Sequence, residues 1–132
     1  MKSWTKSDFI NYRISKSLET FNDAKLLATN ERWNSSMNRL YYSSFYLITA
    51  LLLKHQIKAE THNGVRTQFF LNFIKTGIVD KESGKLFADL FEWRQESDYA
   101  DFIEFDGETV LPMLQQVENF NRVILSLIYQ VS

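Results

Sequence analysis

The chain has no cysteine, which excludes disulfides, thiolate zinc sites and thiol nucleophiles. One proline and four glycines in 132 residues are too few for an all-β protein full of tight turns. Two histidines, His55 and His62, leave little room for an imidazole-built metal centre, and neither a metal nor a cofactor is expected. The longest uncharged stretch in the middle of the chain, between Arg39 and Lys54, has 14 residues, where a bilayer needs about 20. The N-terminal MKSWTKSDFINYR holds no apolar run of signal-peptide length before charges appear. No membrane association and a cytoplasmic location are therefore expected. A formal net charge of −1 gives no global attraction to nucleic acid or to a membrane surface.

What the chain does have is a globular mixture, with 45% apolar and 23% charged residues. Its length corresponds to one domain spanning residues 1–132. Area scaling gives roughly 7,000 Å² exposed when folded against roughly 23,000 Å² unfolded, enough burial for a real core. Aromatics are abundant, with 11 Phe, 6 Tyr and 3 Trp. The charge is unevenly spread: residues 1–79 carry a net +6 and residues 80–132 a net −7. If the fold interleaves the halves, these largely neutralise each other.

Periodicity predicts helices throughout. Ile14, Leu18, Phe21, Ala24 and Ala28 recur at steps of three and four over 8–29, one face of a helix with Thr5 or Ser7 as cap and Asn30 as stop. Over 33–56, Trp33, Met37, Leu40, Tyr41, Ser44, Leu47, Ile48 and Leu51 form a second stripe. From Tyr41 onward this segment is apolar almost all round, as a central helix must be. A short third helix starts at Thr61 and runs through Val65, Phe69, Phe73 and Ile74, with Gly77 as a left-handed stop. Asp80 precedes a fourth, carrying Leu86, Phe87, Leu90, Phe91 and Trp93. Residues 99–108 read as an acidic loop. Thr109 is the expected cap of a last helix with Pro112 in its first turn and a seam of Val110, Leu114, Val117, Asn121, Ile124, Ile128 and Val131. The expected fold is all-α: an up-and-down bundle of four long helices plus one short one.

Four patterns occur in order: NRLYYSSFYLITALLL, THNGV, NFIKTG and WRQESDY. With the capped amphipathic helix before them they resemble the HEPN domain family (higher eukaryotes and prokaryotes nucleotide-binding), in particular its small stand-alone bacterial branch. The resemblance covers roughly residues 10–130. It implies a helical bundle that dimerises, often a metal-independent ribonuclease toxin, and often a neighbouring minimal nucleotidyltransferase that acts as antitoxin. Ribonuclease members carry an Arg followed, after four to six intervening residues, by a His. Arg94 matches that Arg. The permitted His places hold Tyr99, Ala100 and Asp101, so the His is absent and Tyr99 stands in the first of them. Family toxins modified on a Tyr two residues past the His would have it where Asp101 stands, which makes Tyr99 an approximate substitute.

Metal-free RNA cleavage needs a base, an acid and a cation near the phosphate. His transfers protons near neutral pH, and Tyr, with a pKa near 10, acts chiefly as a donor. Arg94 can still grip a phosphate, and Asp98, four residues on, can pair with it. His62, in the first turn of the third helix, has its pKa lowered there by the helix dipole. It either holds the loop or supplies the missing imidazole to Arg94. Tyr41 and Arg39 on the central helix could stack on a base, although the tyrosine spacing suits a core. The six acids Glu96, Asp98, Asp101, Glu104, Asp106 and Glu108 have no intervening cation and disfavour phosphate nearby. The expected function is a homodimeric binding module engaging a nucleotidyltransferase or a nucleotide through Arg94, His62, Tyr41 and Arg39. The alternative is a toxin-like ribonuclease, acting on RNA, with a rearranged site of Arg94, Asp98 and Tyr99.

Overall fold

The computed structural model describes residues 3–99, 101 and 103–131, and the side chain of Tyr99 lies outside that description. Five α-helices follow one another: α1 Lys6–Thr29, α2 Trp33–Lys54, α3 His62–Phe69, α4 Lys81–Tyr99 and α5 Gly107–Tyr129. No strand occurs among the described residues. Four helices are long and one is short, as the periodicity predicts. No helix is long and apolar enough to cross a membrane.

The helix ends follow local chemistry. Thr5 opens α1 with a capping box: the Asp8 N–H donates to Thr5 Oγ1 at 3.1 Å, and the Thr5 N–H donates to Asp8 Oδ2 at 2.9 Å. Helix α1 thus begins two residues before Asp8. It ends on a left-handed Glu31 (φ 57°), with the Arg32 N–H on Leu27 O and the Glu31 N–H on Ala28 O. Asn30, expected to stop the helix, helps through its side chain, which donates to Leu26 O at 2.9 Å. Helix α2 ends the same way on Gln56 (φ 58°) and stops at Lys54 rather than Gln56. Thr61 caps α3 through the Gly64 N–H, as expected. The last five residues expected in that helix, Phe70–Ile74, wind as a π-helical turn. Gly77 then adopts φ 81°.

Helix α5 starts earlier than expected. Asp106 is its cap, with its Oδ1 accepting from the Thr109 N–H at 2.9 Å. Thr109 is therefore the third helical residue, and Pro112 lies in the second turn instead of the first. The ring costs the Glu108 carbonyl its intrahelical donor, but Glu108 and Pro112 are exposed to water.

Helix α2 is the centre, packed against α1, α3, α4 and α5. Tyr41, Leu40, Ile48 and Leu51 are fully buried on it. The α1 face is corrected at one place. Leu18 is exposed, while Ser17 and Thr20 are buried beside Phe21, Ala24 and Ala28. Small hydroxyls take that edge because they bond backbone carbonyls at close range: Ser17 Oγ to Ser43 O at 2.7 Å, Thr20 Oγ1 to Lys16 O at 2.6 Å, Ser36 Oγ to Ala24 O at 2.9 Å. In α5, Met113 and Phe120 are buried with Val110, Val117, Ile124 and Ile128, and Val131 lies past the helix in water. Asn121 bridges to α2, accepting from Ser44 Oγ at 2.8 Å and donating to Ser43 Oγ at 3.2 Å.

Candidate functional site

Arg94 points back into the bundle from late in α4 and is only 6% exposed. Its guanidinium carbon stands 5.1 Å from the centre of the Tyr41 ring and 5.9 Å from those of Tyr42 and Phe91. Such contacts favour a partly desolvated cation. Among the described residues it has one ion pair, a long one from Nη1 to Asp98 Oδ2 at 3.5 Å, and Asp98 is itself partly in water. The Nε–H has no partner among the described residues although it is buried, an arrangement that costs stability.

His62 opens α3 and meets the same tyrosine. Its Nδ1 lies 2.8 Å from the Tyr41 hydroxyl, and its ring stacks on Phe45 with centres 4.4 Å apart. Burial pushes the His62 pKa down, and the Arg94 charge adds to that. The direction matches the sequence expectation, but the causes are burial and a neighbouring cation rather than the helix dipole. Burial raises the Tyr41 phenol, against a smaller lowering by Arg94. Tyr41 therefore stays protonated, and its hydroxyl links the imidazole to the ring beneath the guanidinium.

Arg39 lies one helical turn before Tyr42. It donates to Asn38 Oδ1 from Nε at 3.1 Å and from Nη2 at 2.8 Å, and its guanidinium stands 5.1 Å from the Tyr42 ring centre. Tyr42 is thus within 6 Å of two guanidiniums. Arg39 and Asp98 both border a shallow depression of about 450 Å³ with Asn34, Asn38 and Ser97. Asn34 ties the following loop to α2, donating to Ile103 O and accepting from the Phe105 N–H, both at 2.8 Å.

The structure therefore brings Arg94, Asp98, Tyr41, His62 and Arg39 to one region where α2, α3 and α4 meet. Tyr99 is the last residue of α4, and its side chain lies outside the described residues. The remaining acids, Glu96, Asp101, Glu104, Asp106 and Glu108, are exposed. His55 is exposed at the end of α2. No group of three or more His, Asp or Glu among the described residues is placed to hold a metal ion.

Sequence reasoning overlooked Arg66. Its Nε is the other buried donor without a partner among the described residues, and its guanidinium stands 5.1 Å from the Phe91 ring centre. The available signal was its spacing, four residues after His62 and so on the same face of α3. A larger cleft, about 1,040 Å³, lies elsewhere, between the start of α1, the end of α2 and the following loop. Its lining is mainly apolar and includes Trp4, Phe9, Tyr12 and Tyr46, and it shares Phe45 with the His62 contact. It has no imidazole, and its Arg13 donates to Thr49 O.

Chemically, the region offers a fixed cation over aromatic rings, a protonated phenol and an imidazole that burial and Arg94 keep in its neutral form to lower pH than usual.

Comparison with known proteins agrees with this architecture. A sequence model of the HEPN domain matches residues 10–127. A protein of Thermotoga maritima named "UPF0332 protein" is 41% identical over 123 residues, 93% of each chain. A protein of Methanocaldococcus jannaschii named "Putative toxin MJ0142" is 34% identical over 95 residues, 72% of this chain and 65% of that one. A "UPF0332 protein" of Archaeoglobus fulgidus is 26% identical over 113 residues, 86% of this chain and 90% of that one. From the matched span and the Thermotoga relative together, the chain belongs to the HEPN domain family.

Proposed function

We propose that the protein is a HEPN binding module that holds a phosphate group of a nucleotide or RNA at Arg94, with Tyr41, His62 and Arg39 around it. It works as a homodimer in a system of the toxin–antitoxin kind, beside a nucleotidyltransferase partner. The observation that carries the reading is the Arg94 guanidinium, buried over Tyr41 with Nε unsatisfied and one 3.5 Å pair. A buried cation so poorly paired is unfavourable without an anion, and a phosphate supplies the forked acceptors that a guanidinium matches. The family and the toxin named among its relatives support the system.

The Tyr41–His62 bond bears on what the site does with that phosphate. A phenol is the stronger donor of the two, so it donates to Nδ1 and leaves the imidazole proton on Nε2. In that tautomer His62 offers a donor to a phosphate oxygen instead of a base to a 2′-hydroxyl. Binding is then favoured over turnover.

A second reading has its own observation. His62 stands within one hydrogen bond of Tyr41 and under the influence of Arg94, so an imidazole reaches the site although the motif lacks one. In that reading the protein is a metal-independent ribonuclease, with Arg94 on the phosphate and His62 transferring the proton. One experiment separates the two: purified protein incubated with single-stranded and transfer RNA, beside Arg94→Ala and His62→Ala. The binding module shows no cleavage at high protein concentration while AMP or ATP raises its melting temperature. Cleavage lost in both variants would establish the ribonuclease instead.

A further inference from the structure

The two buried guanidinium Nε atoms without partners belong to Arg66 on α3 and Arg94 on α4, and both guanidiniums lean on the Phe91 ring, at 5.1 and 5.9 Å from its centre. Two like charges against one ring repel each other, and no carboxylate bridges them among the described residues. Among the described residues Arg94 has only its long pair with Asp98, and Arg66 has no ion pair. Arg66 instead stands near a second ring, 5.7 Å from the centre of Phe70. His62 lies one turn before Arg66 on the same face of α3 and feels the Arg94 charge. From α3 to α4 the side chains thus run His62, Arg66, Phe91, Arg94, the first two half-buried and the last two buried, with the half-buried rings of Tyr42 and Phe70 beside the cations.

We propose that Arg66 and Arg94 form a two-pronged site for neighbouring phosphates, with Arg66 holding the second phosphate beside the one that Arg94 holds. This rests on the reading of Arg94 as a phosphate anchor. The shared chemistry is a nucleotide with two adjacent phosphates. It is supplied by a nucleoside diphosphate or by the backbone of an RNA strand, whose bases find Tyr42 and Phe70 for stacking. Each prong offers a planar donor fork that a lysine does not reproduce.

The test is calorimetric titration of the full chain with AMP, ADP and an adenosine dinucleotide bearing a 5′-phosphate. The proteins are the wild type, Arg66→Met, Arg66→Lys and Arg94→Met, each checked for helicity by circular dichroism. Arg94→Met is expected to abolish binding of all three. Arg66→Met is expected to weaken the two-phosphate ligands about tenfold and leave AMP unchanged, and Arg66→Lys to recover only part of the loss. Loss with ADP alone identifies a free nucleotide, and loss with the dinucleotide identifies an RNA strand. If the wild type binds AMP as tightly as the two-phosphate ligands, or if Arg66→Met changes all three equally, the two-pronged site is overturned while the Arg94 anchor stands. Wild-type protein that binds none of the three overturns the anchor itself and this inference with it. A misfolded Arg66→Met leaves the decision to Arg66→Lys, where equal affinity for every ligand relative to wild type overturns the proposal.

Discussion

Residue 94 holds a charge where a hydrophobic side chain would suit the unliganded fold better. Its guanidinium is 6% exposed, its Nε is orphaned and its partner Asp98 is 3.5 Å away. Exchanging such a cation for an apolar side chain of similar length is often neutral or stabilising. Arg94→Met is therefore expected to raise the unfolding free energy by about 1 kcal/mol, read by urea denaturation, while ligand binding disappears. A loss of more than about 2 kcal/mol would mean that the residue is there for the fold. His62 gives a second expectation. Its pKa is depressed by burial and by Arg94, so the unfolded chain takes up the proton first as pH falls. Stability should be complete above about pH 6.5, the unfolded value, and decline below it. The groups around the ring are Tyr41, Tyr42 and Phe45 on α2, with the charge of Arg94 on α4 acting on it, and none is a carboxylate. A bound phosphate reverses the sign of the nearest charge and should raise the His62 pKa. Proton NMR titration of the imidazole, with and without AMP, checks both; an His62 pKa unmoved by ligand would place the anion elsewhere. At this scale the sequence singled out candidate residues but not how they meet. Arg94 and His62 stood out through a motif and through scarcity, whereas Arg66 lay in no motif. It becomes a candidate only because α3 and α4 bring it against Phe91.

Helix faces were legible wherever large apolar residues set the period, as in α2, and misread where small polar residues did the packing. Leu18 fits the α1 stripe by spacing, yet Ser17 and Thr20 are buried instead. The close α1–α2 contact excludes a leucine and rewards hydroxyls that reach carbonyls. Ends were legible at the side-chain caps Thr5 and Thr61, but not at Asp106, whose role as cap was expected of Thr109. They were less so at Glu31 and Gln56, where non-glycine residues take left-handed conformations. Such residues cost roughly 1 kcal/mol relative to glycine. Glu31→Gly, at an exposed position, is expected to stabilise the protein by up to about 1 kcal/mol, with a matching rise in melting temperature. A fall would show that the backbone carries no strain there. The α2–α5 contact depends on polar pairing instead. Asn121→Leu leaves the Ser44 hydroxyl without its acceptor and is expected to cost about 1–3 kcal/mol. Adding Ser44→Ala should recover part of that, because the stranded group is removed as well. Strict additivity of the two changes in a double-mutant cycle would rule out the bridge.

Over the whole molecule, helices of the positive half and the negative half pack against one another, yet their charges do not pair. The ion pairs among the described residues are Lys85–Asp89, Arg94–Asp98 and Glu118–Arg122, all within residues 80–132 and all between residues four apart. The expected mutual neutralisation is therefore absent at contact range among the described residues, and several cations of residues 1–79 meet aromatic rings or backbone carbonyls instead. Arg39 and Arg66 stand over Tyr42, Phe70 and Phe91, and the Lys54 ammonium donates to the Leu127 carbonyl. A molecule of net charge −1 attracts a polyanion only through such local cations, and that limits how strongly salt can act. Each phosphate neutralised on a single strand contributes a slope of about −0.7 to the logarithm of affinity against the logarithm of salt. With Arg39, Arg66 and Arg94 as the contacts, the slope per binding site for short single-stranded RNA should lie between about −1.4 and −2.1. Arg66→Met should make it shallower by about 0.7, and Lys25→Met, at an exposed position of α1, should leave it unchanged. Fluorescence anisotropy across a salt series measures this directly. A slope steeper than about −4, or an equal effect of the two substitutions, would mean that RNA spreads over a broad basic surface instead of seating on these guanidiniums.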